Sequence, residues 1–102
     1  MGDHISATGQ AATAEQEARV RRLRFRSWHR GTREMDLILG SFADEWLDKF
    51  TAEQIESYEA LLVENDPDIY NWVTKREPPP AHVQGSVFDL LIDHVDHAEG
   101  TG

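Results

Sequence analysis

The 102-residue chain has no cysteine, which excludes a disulfide framework, a thiolate nucleophile and a metal site built on sulfur. It has no apolar run near the roughly 18 residues that a membrane-spanning helix needs. It also has no glycine-rich phosphate loop and no dinucleotide-binding fingerprint, and none of its serines lies in a glycine-framed nucleophile turn. We therefore expect no membrane insertion, no catalytic residues and no free-standing enzyme.

Basic side chains are scarce outside one short segment. Residues 34–102 carry sixteen acidic side chains against Lys49, Lys75 and Arg76, whereas residues 19–33 carry seven arginines and no acid. The net charge of −9 therefore hides a basic element joined to an acidic body. Two interpretations stay open: the two parts neutralise each other within the fold, or the basic edge is offered to a partner. Nucleic-acid binding is disfavoured, because an acidic body opposes contact with phosphates.

Helical periodicity is the main pattern that is present. From about residue 15 to residue 97, apolar side chains recur at three- and four-residue steps and never alternate as in a strand. The pattern predicts an all-α fold, a compact five-helix bundle-like domain with a flexible N-terminal tail, with helices beginning near residues 15, 32, 51, 66 and 82. We expect the tail to cover 1–18, the helical domain 19–97 and a C-terminal tail 98–102, with the second and third helices as the antiparallel centre.

Several residues are typical of helix ends. Gly31 predicts the end of the first helix, and the stretch TAEQ at 51–54 has capping-box spacing at the start of the third. Asp66 is expected to cap the fourth helix, with Pro67 at its first position. Gly40, inside the second helix, either weakens that helix or lets a neighbour pack closely.

The stretch HRGTRE at 29–34 lies where the first two helices are expected to meet. Gly31 allows a backbone conformation that a side chain opposes, and lets another backbone approach closely. Glu34 falls in the first turn of the next helix, where a carboxylate is favoured, and Arg30 can engage a carboxylate in forked geometry. The residues are equally compatible with a helix-breaking corner closed by a local ion pair and with a docking point for a partner.

Two other stretches carry chemically suggestive side chains. In DHVDH at 93–97, His94 and His97 are one helical turn apart, which is metal-ligand spacing, but no second cluster completes a site and we expect no metal. In DPDIYNWV at 66–73, four large apolar residues are too many for one face of a short helix. We expect Ile69, Trp72 and Val73 to be buried, and Tyr70 and Asn71 to face outward.

The order RGTRE, MDLILGSF and, about thirty residues later, ENDPDIYNWV resembles the succinate dehydrogenase assembly factor 2 family, whose hallmark is R-G-x-x-E-x-D. The likeness covers roughly residues 19–95. It implies a five-helix domain that binds the flavoprotein subunit of succinate dehydrogenase, and of fumarate reductase in some bacteria. It further implies that the protein promotes covalent attachment of FAD to a histidine of that subunit, as an assembly factor with no tightly bound cofactor of its own.

The resemblance also implies which residues contact the partner. They are Arg30, Gly31, Glu34 and Asp36 of the first motif, with Tyr70 and Asn71 of the second. We add Arg33, which the motif does not specify, because the neighbouring arginines can widen the docking edge. The alternative is a helical protein-interaction module of antitoxin type with a membrane-associated partner. The N-terminal segment resembles neither a secretory nor a mitochondrial targeting sequence, so we expect bacterial cytoplasm rather than the mitochondrial matrix. We expect a monomer when the protein is free.

Overall fold

The computed structural model describes residues 2–101, with side chains for residues 14–98. Within this part the secondary structure is helical, without strands, and consists of α1 (Gly2–Trp28), α2 (Arg33–Trp46), α3 (Ala52–Leu62), α4 (Asp66–Val73) and α5 (Ser86–Thr101). A single 3-10 turn, Leu47–Lys49, follows α2. The predicted all-α fold is confirmed, whereas the division into two tails and a domain over 19–97 stays a prediction. No helix in the described part is both long and apolar enough to cross a bilayer.

The capping box at the start of α3 is confirmed. The Thr51 hydroxyl accepts a hydrogen bond from the Gln54 backbone N–H (3.2 Å), and the Gln54 side-chain oxygen accepts one from the Thr51 N–H (2.9 Å). Two of the four orphan N–H groups of the helix start are thus satisfied reciprocally. Helix α4 covers the stretch 66–73 singled out in the sequence, but it begins at Asp66, one residue before the predicted first position at Pro67.

Two helices begin elsewhere than predicted. Helix α1 begins at Gly2 rather than near residue 15, and α5 begins at Ser86 rather than near His82. The reason for the second difference lies in Gly85, whose φ of +153° is incompatible with a continuing helix. Residues 77–84 instead form a connector in which the Val83 N–H bonds the Pro80 carbonyl (3.0 Å).

The core takes one stripe of side chains from each helix and is centred on Tyr58 of α3, which is fully buried. The Tyr58 hydroxyl lies 2.6 Å from the Ser27 hydroxyl of α1 and donates to the Leu39 carbonyl of α2 (3.3 Å). Ser27 donates to the Leu23 carbonyl (2.7 Å). Burial raises the pKa of the Tyr58 phenol above its ordinary value. These hydroxyls therefore tie three helices together at the centre of the core.

The closest helix pair is α1 with α2, so the predicted α2–α3 centre is wrong. The indole of Trp28 lies against the backbone of α2 at Gly40, where a β-carbon would overlap the ring. The indole Nε1 then donates to the Asp44 carboxylate (3.2 Å to Oδ2). Of the two roles predicted for Gly40, close packing of a neighbour is the correct one. This contact fixes how α1 enters the turn that leads into α2.

Candidate functional site

Residues 29–36, here called the corner, connect α1 to α2. Gly31 has φ of +116°, and no atom lies within 4 Å of the place where a β-carbon would stand. Glycine is therefore required by the backbone angle, not by lack of space. Thr32 caps α2, its hydroxyl accepting a hydrogen bond from the Met35 N–H (3.3 Å). The corner is thus a sharp turn whose apex, Gly31, is exposed and bare of side chain.

Arg30 points into the protein, with only 12% of its side chain exposed. Its Nε donates to Asp66 Oδ1 (2.8 Å), and its two terminal nitrogens donate to the carbonyls of Leu62 (2.7 Å) and Glu64 (2.9 Å). The predicted ability to engage a carboxylate is realised through one nitrogen only. The guanidinium also satisfies carbonyls where α3 ends, which have no helical partner there. The ion pair of the corner is therefore long-range rather than local.

Asp66 belongs to α4 as its first helical residue, and Asn65 takes the N-cap position that we predicted for Asp66. No side chain caps α4, and the Asp66 carboxylate, 19% exposed, is turned toward Arg30. The two sequence motifs are thus joined directly, although 36 positions separate the paired residues. Sequence reasoning missed this role of Asp66, and its only signal was that both motifs occur in one chain.

Asp36 is the second internal anchor of the corner. Its Oδ1 accepts a hydrogen bond from the Arg30 backbone N–H (2.6 Å), and the side chain is half-buried. A carboxylate that accepts from a backbone N–H is a strong, charge-assisted contact. Arg30 and Asp36 were both predicted to bind a partner, yet the structure shows them holding the corner in place.

Glu34 and Arg33 are displayed instead. Both side chains are exposed, and neither has a hydrogen-bond or ion-pair partner among the side chains of residues 14–98. Arg33 and Gly31 border a shallow, open depression together with His29 and Leu37. The corner therefore separates into inward anchors and an outward set, of which Gly31, Arg33 and Glu34 are available to another molecule.

Tyr70 and Asn71 were expected to face outward, but the structure places both half-buried on α4. The Arg76 guanidinium lies over the Tyr70 ring, 5.3 Å from its centre, in a cation–π contact. The Asn71 carbonyl accepts hydrogen bonds from the N–H groups of Arg76 (2.8 Å) and Glu77 (3.2 Å) just beyond the helix. Tyr70 follows Asp66 by four residues, so it lies one turn further along the helix face that meets Arg30.

The other three large side chains of α4 are buried as predicted. Ile69 and Val73 are inaccessible, and Trp72 is nearly so. The helix therefore closes one side of the core while presenting Asp66 to the corner. Its packing explains why the second motif is rich in apolar residues.

His94 has a structural role. Its Nε2 lies 2.8 Å from the Ser41 hydroxyl and its Nδ1 lies 3.5 Å from a Glu45 carboxylate oxygen, both on α2. Within the described side chains, no group of three or more His, Cys, Asp or Glu residues is close enough to hold a metal ion. The contacts of His94 thus join α5 to α2.

The sequence is similar to one family of known proteins. A family model described as "Flavinator of succinate dehydrogenase" matches residues 21–95, which include the corner and α4. Succinate dehydrogenase assembly factor 2-B, mitochondrial, of Drosophila ananassae is 44% identical over 85 residues, which cover 81% of this chain and 52% of the relative. Succinate dehydrogenase assembly factor 2-A, mitochondrial, of Drosophila yakuba is 43% identical over 86 residues, covering 82% and 53%.

The chain spans about half the length of the curated relatives it matches. These relatives are named as mitochondrial proteins, which contradicts the predicted bacterial cytoplasm and points to mitochondria instead. The predicted family is confirmed by a match that covers well over half of the chain. With its two motifs joined through Arg30 and Asp66, this chain belongs to the succinate dehydrogenase assembly factor 2 family, the flavinators of succinate dehydrogenase.

Proposed function

We propose that this protein binds the flavoprotein subunit of succinate dehydrogenase and promotes covalent attachment of FAD to that subunit, acting as an assembly factor rather than as an enzyme. The observation that carries the proposal is the corner, in which an exposed glycine apex and an unpaired Glu34 stand on an internally anchored turn. The family description, a flavinator, supplies the reaction that such a surface would serve.

The anchoring of the corner supports a positioning role. Arg30 ties the turn to the ends of α3 and α4, and Asp36 ties its backbone to α2. A partner therefore meets a turn that is already in its bound shape, which reduces the entropy lost on binding. Because Gly31 has no side chain, the partner backbone can approach the turn closely, and Glu34 can pair with a cation of the partner.

The mechanism we propose needs no reactive group from this chain. The bond to the flavin forms within the flavoprotein, between a nitrogen of that protein's own histidine and the methyl carbon of the oxidised flavin. A methyl C–H bond and the histidine N–H bond break, both hydrogens leave as protons, and the flavin ring takes up the electron pair and becomes reduced. The factor holds the flavoprotein so that the reacting groups are aligned, which is catalysis by positioning. FAD stays in the flavoprotein, and the factor has no tightly bound cofactor. The factor leaves the flavoprotein after the reaction, which favours an interface of modest size. The flavoprotein subunit of fumarate reductase is a second client of the same kind.

The test is in-gel flavin fluorescence of the denatured flavoprotein subunit, produced with and without this protein. Glu34→Ala is compared with Glu53→Ala, a matched control, because each glutamate is the second residue of its helix and each is exposed. Both changes lose the same small favourable interaction with the helix dipole. We expect Glu34→Ala to lower covalent flavin on the order of ten-fold, the effect of losing one charge-assisted contact, and Glu53→Ala to match the wild type.

Thermal melting of both variants, followed by circular dichroism, shows whether a loss of covalent flavin comes from unfolding or from a lost contact with the partner. A flavoprotein band that is equally fluorescent without this protein refutes the proposed function. Equal effects of the two glutamate changes would remove the corner as the site. Gly31→Ala is a less direct probe, since the strained backbone at φ of +116° costs about 1–3 kcal/mol in itself.

A further inference from the structure

The seven arginines of residues 19–33 separate into two groups in the structure. Three form ion pairs with acids on other helices: Arg19 with Glu59, Arg24 with Asp44 and Arg30 with Asp66. The other four have no ion-pair partner among the side chains of residues 14–98, and they are Arg21, Arg22, Arg26 and Arg33. Internal neutralisation therefore accounts for fewer than half of these charges. Of these four, Arg21, Arg22 and Arg33 are exposed and Arg26 is half-buried, on a protein whose net charge is −9.

Two of the unpaired arginines lie beside an exposed aromatic pair at the end of α1. Arg22, Phe25 and Arg26 lie three and four positions apart, which places them on one face of the helix. Phe25 is 63% exposed, and its ring stacks on His29 with the ring centres 3.9 Å apart and the planes at 20°. His29 Nδ1 also lies 2.7 Å from the Phe25 carbonyl oxygen, which holds the imidazole in this position. The two rings form a pre-ordered platform exposed to solvent.

This platform is continuous with the corner. His29, Arg33 and Leu37 border the same shallow depression as Gly31, and Leu37 is 48% exposed. We define the basic–aromatic face as Arg22, Phe25, Arg26, His29, Arg33 and Leu37. Of the three large hydrophobic side chains that are exposed in the described part of the chain, Phe25 and Leu37 lie on this face. Apolar exposure and unpaired positive charge thus coincide next to Gly31.

We propose that the basic–aromatic face docks an acidic surface of the flavoprotein subunit that offers an apolar side chain to the Phe25–His29 platform. The inference rests on the proposed function and names the chemistry of the partner surface. Arginine forks fit carboxylates, and arginine and aromatic side chains at the centre of an interface carry much of its binding energy. Contact with a polyanion such as nucleic acid is opposed by the acidic body of the protein. Docking here places the corner against the same partner.

The experiment measures binding of the full-length protein to the purified flavoprotein subunit lacking covalent flavin, by calorimetry over a series of NaCl concentrations. Arg26→Glu is compared with Lys49→Glu, which changes the net charge equally. Lys49 lies outside the basic–aromatic face, on the 3-10 turn that follows α2. Phe25→Ala tests the apolar part of the face. Melting by circular dichroism accompanies each variant.

The two kinds of contact predict different salt dependence. Because Arg26→Glu removes an attraction and adds a repulsion, we expect affinity to fall about ten-fold at low salt and the salt dependence to flatten. Phe25→Ala removes apolar contact, so we expect about ten-fold weaker binding with an unchanged salt dependence. Lys49→Glu should weaken binding less than Arg26→Glu does, because in the proposed complex only Arg26 contacts the partner, and the remaining long-range effect of Lys49 should disappear as salt is raised.

Equal effects of Arg26→Glu and Lys49→Glu, or no effect of either, would overturn the docking face. So would a dimer of the protein alone, or binding to a DNA duplex, that depends on Arg26. In these cases wild-type protein still raises covalent flavin, and the proposed function survives. If the wild type neither binds the flavoprotein nor raises its covalent flavin, the proposed function fails together with this inference.

Discussion

The contact between Arg30 and Asp66 offers the sharpest test of how the corner is held. The change Asp66→Asn keeps the size of the side chain and removes its charge. Only 12% of the Arg30 side chain and 19% of the Asp66 side chain are exposed, and the Nε–Oδ1 distance is 2.8 Å. The substitution therefore acts on a nearly buried, charge-assisted hydrogen bond and leaves the packing around α4 in place.

The expected loss of unfolding free energy depends on which hydrogen bonds between Arg30 and its partners remain after each substitution. An asparagine oxygen can still accept from Arg30 Nε, so we expect Asp66→Asn to lower the free energy of unfolding by about 1–2 kcal/mol. For a domain of this size that is a fall in Tm of about 5–15 °C. Arg30→Ala removes the donor to Asp66 and to the carbonyls of Leu62 and Glu64, and we expect about 3–5 kcal/mol.

The assay is urea unfolding followed by circular dichroism for the wild type, both single variants and the double variant. Once Arg30 is gone, the Asp66 carboxylate has lost its partner, so Asp66→Asn should cost almost nothing in the Arg30→Ala background. The coupling energy of this double-mutant cycle is the difference between the cost of Asp66→Asn in the wild type and its cost in the Arg30→Ala variant. It should therefore be about 1–2 kcal/mol. Asp96→Asn, in the exposed pair with Lys75, is the control and should cost less than about 0.5 kcal/mol.

Additive costs, equal to within about 0.5 kcal/mol, would refute the reasoning, because residues that do not share an interaction behave independently. The corner would then have to be held by Asp36 and by helix packing alone. A large effect of the exposed control pair would show instead that the protein responds to any loss of charge.

Two further predictions concern the core. Gly40→Ala places a methyl group in the indole of Trp28, and we expect overpacking to cost about 1–3 kcal/mol, measured by thermal melting together with tryptophan fluorescence; an unchanged Tm would contradict the close contact. Burial raises the pKa of the Tyr58 phenol above its ordinary 10.0, so the folded state favours the neutral form, and stability that is present at neutral pH is lost as the pH rises above about 10. Tyr58→Phe should cost about 1 kcal/mol at pH 7 through its lost hydrogen bond, and should flatten the alkaline decline in urea midpoints. Identical alkaline declines in the two proteins would contradict a buried neutral phenol.

The parts of the fold that were predictable depend on neighbours in sequence. The presence of a short helix at 66–73 and the capping box at Thr51 both follow from interactions between residues within four positions of each other. The partner of α2 was not predictable in this way. It depends on Gly40 meeting the indole of Trp28, which requires the relative placement of two helices.

The residues of the candidate site likewise fall into those whose role local sequence predicts and those whose role it does not. From the sequence, Gly31 was expected to end a helix, and Glu34 was expected to lie in a first helical turn, since backbone angles and helix dipoles are local properties. The sequence alone also determined the all-α class, the absence of sulfur chemistry and the concentration of arginine in residues 19–33. Equivalent arginines in that segment could not be told apart by type or spacing.

Only the tertiary structure decided which arginines are used inside the protein and which are displayed. Arg30 reaches Asp66 across 36 positions because α3 ends and α4 begins beside the corner, whereas Arg26 meets no acid. An ion pair depends on distance in space and on burial, and helical periodicity specifies neither between separate helices. Periodicity thus determined the helices of this protein, and their packing determined its anchors and its exposed face.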